Sequence, residues 1–493
     1  MVRWSRYSCH FTTARGEHLV YNALSNSLLQ LDDAQDRAVA RLHRLSGATG
    51  GADETALGAG LGAGGEAVDP GLLPALRRHL VLVAADEEDE ALLAERAARN
   101  AAAYRTGMVG LTICPTLACN FRCGYCFEHS QHDGKVMTSE TAGHLVAFIR
   151  GHEDARRLSL AWYGGEPTLA WDRIRDLTER FLGLGLVFEP AGLVTNGYLL
   201  DERRIGQLAD LRIETIQVTL DGPPETHDAR RVLPGGGPTY ARILDNLDVL
   251  MASAWGGRLS VRVNVDRTNA ECFTEFREEL LQRFSTPRVR VYAGHVSPAP
   301  GDQATADCAL CASEWHELAL ALYWEHGMLP ARGFYPPSTP AGCVATAPSG
   351  YVVGPAGELY DCWEDVGDAD MVIGDVAADP PVTDPGLHAR YLVGTDPFGD
   401  PECLACDVLP VCNGGCAAKR LRAQRGEPTG DHCSPYRRHL EAYLEAYLDA
   451  FLTRELCAAV LAPGPPGERP GWRLVSPERA ASAGGALTPL DGD

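Results

Sequence analysis

From residue 108 to residue 265 the chain alternates strand-length apolar runs with helix-length amphipathic stretches, and that alternation leaves few folds open. Strands are expected at 111–113, 158–162, 192–195, 215–220 and 259–265, with helices at 144–149, 173–182, around 204–209 and at 241–251. Repeated strand–helix units build a parallel sheet covered by helices, an α/β class. Chemistry in parallel barrels gathers at the C-terminal ends of the strands. Length sets the remainder: 493 residues hold two to four domains at about 150 residues each.

Composition removes several partners. The formal charge of −22 comes with no basic cluster, so a nucleic-acid partner is not expected. No apolar run reaches the roughly 18 residues of a bilayer span, and no export signal opens the chain, so no membrane association and a cytoplasmic location are expected. The 16 cysteines fall in metal-like groups rather than in the pattern of a secreted disulfide scaffold. Cys9, Cys114, Cys272 and Cys457 stand outside those groups and read as ordinary thiols.

The densest group is Cys119, Cys123 and Cys126, spaced C-x3-C-x2-C just after the 111–113 strand. Three thiolates in one loop hold an iron–sulfur cubane and leave its fourth iron open; a zinc knuckle is the bland alternative. With Tyr125 before the last cysteine and Gly164-Gly165-Glu166 after the next unit, the stretch resembles the radical S-adenosylmethionine (SAM) superfamily. That resemblance implies a partial (β/α)6 TIM-like barrel, SAM on the open iron, and reductive cleavage to a 5′-deoxyadenosyl radical. It assigns Tyr125 to the adenine, Glu166 beside Gly164 and Gly165 to the SAM amino group, and Asn196, Asp221, Arg262 and Asn264 to further SAM contacts.

Seven more cysteines follow: Cys343 and Cys362, then Cys403, Cys406, Cys412, Cys416 and Cys433. The array resembles the SPASM extension of radical SAM enzymes. The resemblance implies two auxiliary [4Fe-4S] clusters, three in all, with Cys403, Cys406, Cys412 and Cys433 on one and Cys343, Cys362 and Cys416 on the other. Seven thiolates are one short of eight. Cys308 or Cys311 supplies the missing ligand, or one iron stays open; a zinc site at Cys403 and Cys406 is the alternative.

Residues 1–90 read as three short strands (8–11, 18–22, 27–31), a helix after Asp32 or Asp33, a Gly/Ala-rich loop over 47–65, a helix at 72–79 and a closing strand at 80–83. The order resembles the winged-helix leader-recognition domains of enzymes that modify ribosomally made peptides, where a leader adds as a strand to a sheet edge. A structural cap on the barrel is the alternative. The acidic run 86–90 reads as a solvated stretch before a helical linker over 91–107. The barrel is expected over 108–300, a bridging segment over 301–342, the SPASM domain over 343–440, a helix over 441–461 and a disordered tail over 462–493.

Together these features imply a peptide maturase, fed by an external donor such as ferredoxin or flavodoxin, that installs a thioether, C–C or C–O crosslink in a precursor peptide with its leader. Auxiliary clusters suit the removal of the electron that such an oxidation leaves. The alternatives are a formylglycine-generating sulfatase maturase, a peptide epimerase, or a non-catalytic peptide-binding protein. Sulfatase maturases carry an Asp base directly after the cysteine matching Cys362; here that residue is Trp363, and Asp361, Glu364 and Asp365 are the nearby carboxylate candidates.

Overall fold

The computed structural model describes residues 1–48, 53–62, 68–104, 107–126, 134–297, 302–330, 333–337, 343–412, 414–427, 429–461 and 472–476. The chain opens with β1 (Val2–Trp4), β2 (Ser8–Thr12), β3 (His18–Asn22) and β4 (Ser27–Leu31). Then come α1 (Asp33–Ala48), α2 (Glu54–Gly62), α3 (Leu72–Arg78), β5 (Leu82–Ala84) and α4 (Ala85–Ala103). β2, β3 and β4 form an antiparallel sheet, whereas β5 pairs with β1. Period-two alternation splits the sheet's apolar residues between two cores. Val20, Leu29 and Leu31 face α1–α3, while Leu19, Tyr21 and Leu28 join a cluster with Tyr323, Phe398 and Leu444 far along the chain.

Three expectations for this region change. The 47–65 stretch contains α2, because Leu57 is fully buried against the α1 core; residues 49–52 and 63–67 lie outside the described residues. The closing strand begins two residues later than expected, at Leu82, and the sequence pattern missed its partner β1. The acidic run is not simply solvated: it forms the first turns of α4, where carboxylates complement the helix dipole. Glu88 is buried there, accepting from Arg3 at 2.9 Å and from the Arg6 amide at 3.0 Å.

The parallel sheet begins with β6 (Met108–Ile113), α5 (Ser139–Arg150), β7 (Arg157–Trp162), α6 (Trp171–Leu182), the short β8 (Val187–Phe188) and β9 (Ala191–Thr195). It continues through α7 (Glu202–Ile205), β10 (Ile213–Thr219), α8 (Pro224–Arg230), α9 (Tyr240–Ala252), β11 (Arg258–Val265), α10 (Phe273–Arg283) and β12 (Val289–His295). β6, β7, β9, β10, β11 and β12 are adjacent in chain order and parallel, the arrangement of a radical SAM partial barrel. Helix signals are local. Thr138 caps α5 by accepting from the Thr141 amide, and Leu145, Phe148 and Ile149 bury one face; Ile174, Leu177 and Phe181 do so on α6.

β11 shows how the sheet divides its residues. Leu259, Val261, Val263 and Val265 are buried, while Ser260, Arg262 and Asn264 point to the opposite face. Beyond β12 come α11 (Gln303–Cys308), α12 (Ala312–His326), β13 (Gly350–Val353), β14 (Glu358–Tyr360) and β15 (Gly374–Asp375). β13 pairs in parallel with β6, so the sheet runs on into the cysteine-rich region. The short helices α13 (Pro385–Ala389), α14 (Pro401–Leu404), α15 (Leu409–Cys412) and α16 (Ala417–Gln424) precede the long α17 (Tyr436–Leu461).

The tail departs from its expected disorder at β16 (Trp472–Leu474), which pairs antiparallel with β4; residues 462–471 and 477–493 lie outside the described residues. Among the described residues no helix is long and apolar enough to cross a membrane. Glu88→Ala strands a guanidinium and an amide, and is expected to cost about 1–3 kcal/mol locally. Hydrogen exchange should read this as at least tenfold faster exchange in β1 and at Arg6, with the β6–β12 sheet unchanged.

Candidate active site and thiol cavities

The loop after β6 carries Cys119, Cys123 and Cys126, and neighbouring strand ends hold it. Gly164, at φ +108°, turns the chain after β7, and a Cβ there would stand 2.5 Å from the Thr116 carbonyl oxygen. At Gly165 a Cβ would meet the carbonyls of Leu117 and Ala118 at 2.3 and 2.5 Å. The side-chain space that the sequence reading reserved for a ligand is therefore taken by the protein's own cysteine loop. Glu166 extends the clamp: its amide donates to the Ala118 carbonyl at 2.8 Å.

The Glu166 carboxylate is buried and richly bonded. Oε1 accepts from the Thr168 amide at 3.0 Å, the Thr168 hydroxyl and the Thr195 hydroxyl at 2.7 Å, while Oε2 accepts the Asn196 amide at 2.7 Å. Burial raises its pKa, and these four donors oppose that rise. A carboxylate oxygen accepts about two bonds, so Oε2 retains capacity for one more donor. An ammonium fits that vacancy in the bonding pattern. Asn196 in turn donates to Asn120 Oδ1 at 2.8 Å, tying β9 to the cysteine loop.

On the other side of the loop, half-buried Tyr125 is the centre of a polar cluster. Its hydroxyl donates to Asp221 Oδ2 at 2.6 Å and accepts from Arg231 at 2.6 Å and Asn264 Nδ2 at 3.0 Å. Arg262 donates to Asn264 Oδ1 at 2.7 Å, and Gly294 leaves the room it occupies, since a Cβ there would lie 2.4 Å from Arg262 Nε. Tyr125, Asp221, Arg262 and Asn264 are thus brought together, with Gly164, Gly165, Glu166 and Asn196 around the same loop. Arg230 was missed: it bonds Asp221 at 3.2 Å and Asp266 at 2.7 Å, and its guanidinium lies 5.0 Å from the Tyr125 ring centroid. It sits among ordinary helical residues of α8, and nothing in its spacing marks it.

Electrostatics at the loop are set by burial. Burial pushes the Cys119 thiol up to about 12, with the Glu166 charge adding to it. For Cys123 burial again raises the pKa, and Arg231 counters it. Burial opposes the Arg231 charge, yet Cys123, Tyr125 and Asp221 outweigh it and hold the guanidinium protonated. His227, which accepts from the Asp221 amide and meets Thr239, is lowered to about 2 by burial and stays neutral as a structural brace.

Cys403, Cys406, Cys412 and Cys433 line one cavity together with Arg420 and Arg437. Asp400 caps α14 and fixes Cys403; Gly415 lets the chain after Cys412 pass the His432 carbonyl, which a Cβ would meet at 1.7 Å. Arg420 donates to Cys403 Sγ at 3.3 Å and Arg437 to Cys433 Sγ at 3.0 Å. Donors aimed at sulfur stabilise thiolate, as ligands of a cluster require. The thiols surround a space rather than converge: among the described residues no three His, Cys, Asp or Glu side chains are close enough to share a single metal ion. Neither arginine was legible in the sequence.

Cys343, Cys362 and Cys416 form a second group. Burial raises all three thiols; Cys416 adds to the shift at Cys343, and Cys343 to that at Cys362. β14 runs antiparallel to β13, with Tyr360 opposite Val352, so Asp361 and Cys362 continue toward the N-terminal end of β6. The Cys119 loop leaves the opposite end. The two groups are therefore separated by the length of the strands, on the order of 13 Å for four residues. Cys308 and Cys311 stand instead beside Arg267, whose charge they favour, and Arg267 bonds Glu314 at 2.5 Å.

The three carboxylate candidates differ. Asp365 accepts from Tyr391 and from Arg422 at 3.0 Å, and Glu364 from Arg422 at 3.2 Å, so both are engaged. Asp361 is fully buried, bonds His388 Nδ1 at 2.9 Å through Oδ1, and leaves Oδ2 without a partner. No spacing or motif marks His388. Among the remaining thiols, Cys114 is buried under Gly164, Cys272 donates to the Asn269 carbonyl at 3.2 Å, and burial raises Cys9 to about 12.

A parallel partial barrel whose strand ends carry a three-cysteine loop defines the class. Residues 113–280, about a third of the chain, match the Radical SAM superfamily model, and that stretch is a radical SAM domain. It is 30% identical over 135 residues to a cysteine-type anaerobic sulfatase-maturating enzyme of Clostridium perfringens, covering 25% of this chain and 36% of that protein. A serine-type anaerobic sulfatase-maturating enzyme of Klebsiella aerogenes is 25% identical over 329 residues, 61% of this chain and 77% of its own. The chain spans about a third of the length of the first curated relatives it matches. The solved structure of native anSMEcpe with bound AdoMet shares the fold at TM-score 0.53 and 20% identity, over 72% of this chain and 99% of that one.

Gly165→Ala drives a methyl group into two loop carbonyls. After anaerobic reconstitution the variant is expected to bind roughly four fewer irons per chain, one cubane's worth, with circular dichroism unchanged. Iron retained at the unaltered level would show that the loop tolerates the methyl.

Proposed function

We propose that this protein is a radical SAM peptide maturase that acts on a ribosomally made precursor peptide and oxidatively crosslinks it. The observation that carries the reading is the pair of thiol groups beyond the SAM-type loop: the four-cysteine cavity with its two sulfur-directed arginines, and the group of Cys343, Cys416 and the buried Cys362 at the other end of the strands. When bound, the loop's cluster supplies the electron that cleaves SAM to a 5′-deoxyadenosyl radical. The chain's own residues would do the rest: Cys119, Cys123 and Cys126 as ligands, Glu166 Oε2 receiving the SAM ammonium, and Tyr125, Asp221, Arg262, Asn264 and Asn196 orienting the nucleoside. Cys403, Cys406, Cys412 and Cys433 would hold one auxiliary cluster, and Cys343, Cys362 and Cys416 the other, as outlets for the substrate's electron.

In this reading residues 1–90 recognise the leader, 343–440 form the SPASM domain, and a cytoplasmic reduced flavodoxin or ferredoxin supplies electrons. A second reading, a sulfatase maturase, is favoured by the relatives' names and by Asp361, whose unpartnered Oδ2 is available to take a proton.

Cys126→Ala is expected to abolish 5′-deoxyadenosine formation from SAM and reductant under anaerobic conditions. Cys412→Ala should keep that activity while losing about four irons per chain. High-resolution mass spectrometry of a candidate precursor then separates the readings. Loss of a hydrogen pair per event supports crosslinking; exchange of a thiol sulfur for an aldehyde oxygen on a sulfatase-type peptide supports the second. Turnover by Cys126→Ala would sink both.

A further inference from the structure

One edge of the N-terminal sheet, β4, is filled by a distant segment of the chain itself. β16 lies antiparallel to β4, with Trp472 opposite Leu31, Arg473 opposite Gln30 and Leu474 opposite Leu29. The Val475 amide donates to the Leu28 carbonyl at 2.9 Å, and Arg473 Nε to Gln30 Oε1 at 2.7 Å. α17 closes the other side: the Tyr447 hydroxyl donates to the Val475 carbonyl at 2.8 Å, and the Arg473 guanidinium lies 6.0 Å from the Phe451 ring centroid. Val475 is fully buried in the cluster that includes Leu28, Tyr443 and Leu444, whereas Leu474 is 47% exposed. The segment is held as a bound peptide is held, by a ladder, a side-chain bond and one anchored side chain.

We propose that residues 472–475 are a resident ligand of the cleft between β4 and α17, and that an incoming extended peptide with a β-branched anchor binds by displacing them. The inference rests on the peptide-recognition reading of the N-terminal sheet and adds to it both the occupant and the anchor pocket. β16 has three paired residues, fewer than the five or six of a usual strand, and β4 keeps β3 as its partner when β16 leaves. As part of the same chain the resident strand rebinds intramolecularly, at an effective concentration that a free peptide has to exceed. A free peptide lacking the anchor does not compete against that.

The test uses the full chain and a fluorescein-labelled synthetic peptide with the sequence of residues 468–480, followed by fluorescence anisotropy. Val475→Asp buries a charge in the apolar cluster and expels the resident strand; the labelled peptide is expected to bind this variant at least tenfold more tightly than the unaltered chain. The same peptide carrying aspartate at its Val475 position should bind neither. If the aspartate variant fails to fold, Val475→Ala makes the comparison, with an expected gain of at least threefold. Equal affinity for variant and unaltered chain would make β16 a permanent strand and overturn the proposal, as would undiminished binding of the aspartate peptide. The assay needs neither SAM nor reductant. Peptide binding as expected without 5′-deoxyadenosine formation would leave the resident strand standing and remove the maturase reading, and the reverse result would do the opposite.

Discussion

The contact on which the rest of the site depends is the close approach of Gly164-Gly165-Glu166 to the cysteine loop. Two glycines without side chains let the end of β7 lie against the carbonyls of residues 116–118, and the Glu166 amide fastens it there. The Glu166 carboxylate then gathers Thr168, Thr195 and Asn196, so that the ends of β7 and β9 share one buried anion. A buried carboxylate is costly unless its oxygens are bonded. Here most of its capacity is used by the protein, which makes the geometry rigid.

Around that anchor the polar residues arrange themselves by the sheet's alternation. One face of β11 is aliphatic and packs under helices, which forces Arg262 and Asn264 to the other face, where Tyr125 and Asp221 meet them. Arg230 at the end of α8 and Arg231 just after it balance the charge of Asp221 and of the thiol region. The result is a ring of mutually satisfied donors and acceptors at the mouth of the sheet, whose positions are fixed before any ligand arrives.

The cysteine-rich region solves a different problem. Its helices are short, so local propensity contributes little, and its thiols line a cavity whose interior the chain itself does not fill. Arg420 and Arg437 offset the mutual repulsion that four thiolates would suffer. This region also shares a core with the N-terminal sheet through Leu19, Tyr21 and Leu28 on one side and Phe398, Val408 and Leu409 on the other. The β4 edge and the four-thiol cavity therefore belong to one packed body, and β16 on β4 lies over the same core.

By itself the sequence determined the parallel α/β architecture and the thiol groups. Both are periodic or local: strand–helix alternation repeats every few tens of residues, and three cysteines within eight positions must share a loop. Even there, burial of a single residue decided boundaries, as Leu57 did for α2 and Glu88 for the start of α4. Contacts between distant residues were settled only by the tertiary structure. Arg230 against Asp221, His388 against Asp361, Arg420 against Cys403, and Trp472–Leu474 on β4 carry no spacing signal, because what joins them is the folding back of chain segments that for Arg473 and Gln30 lie 443 residues apart. Charge balance and an occupied sheet edge are properties of surfaces brought together, and a linear pattern does not contain them.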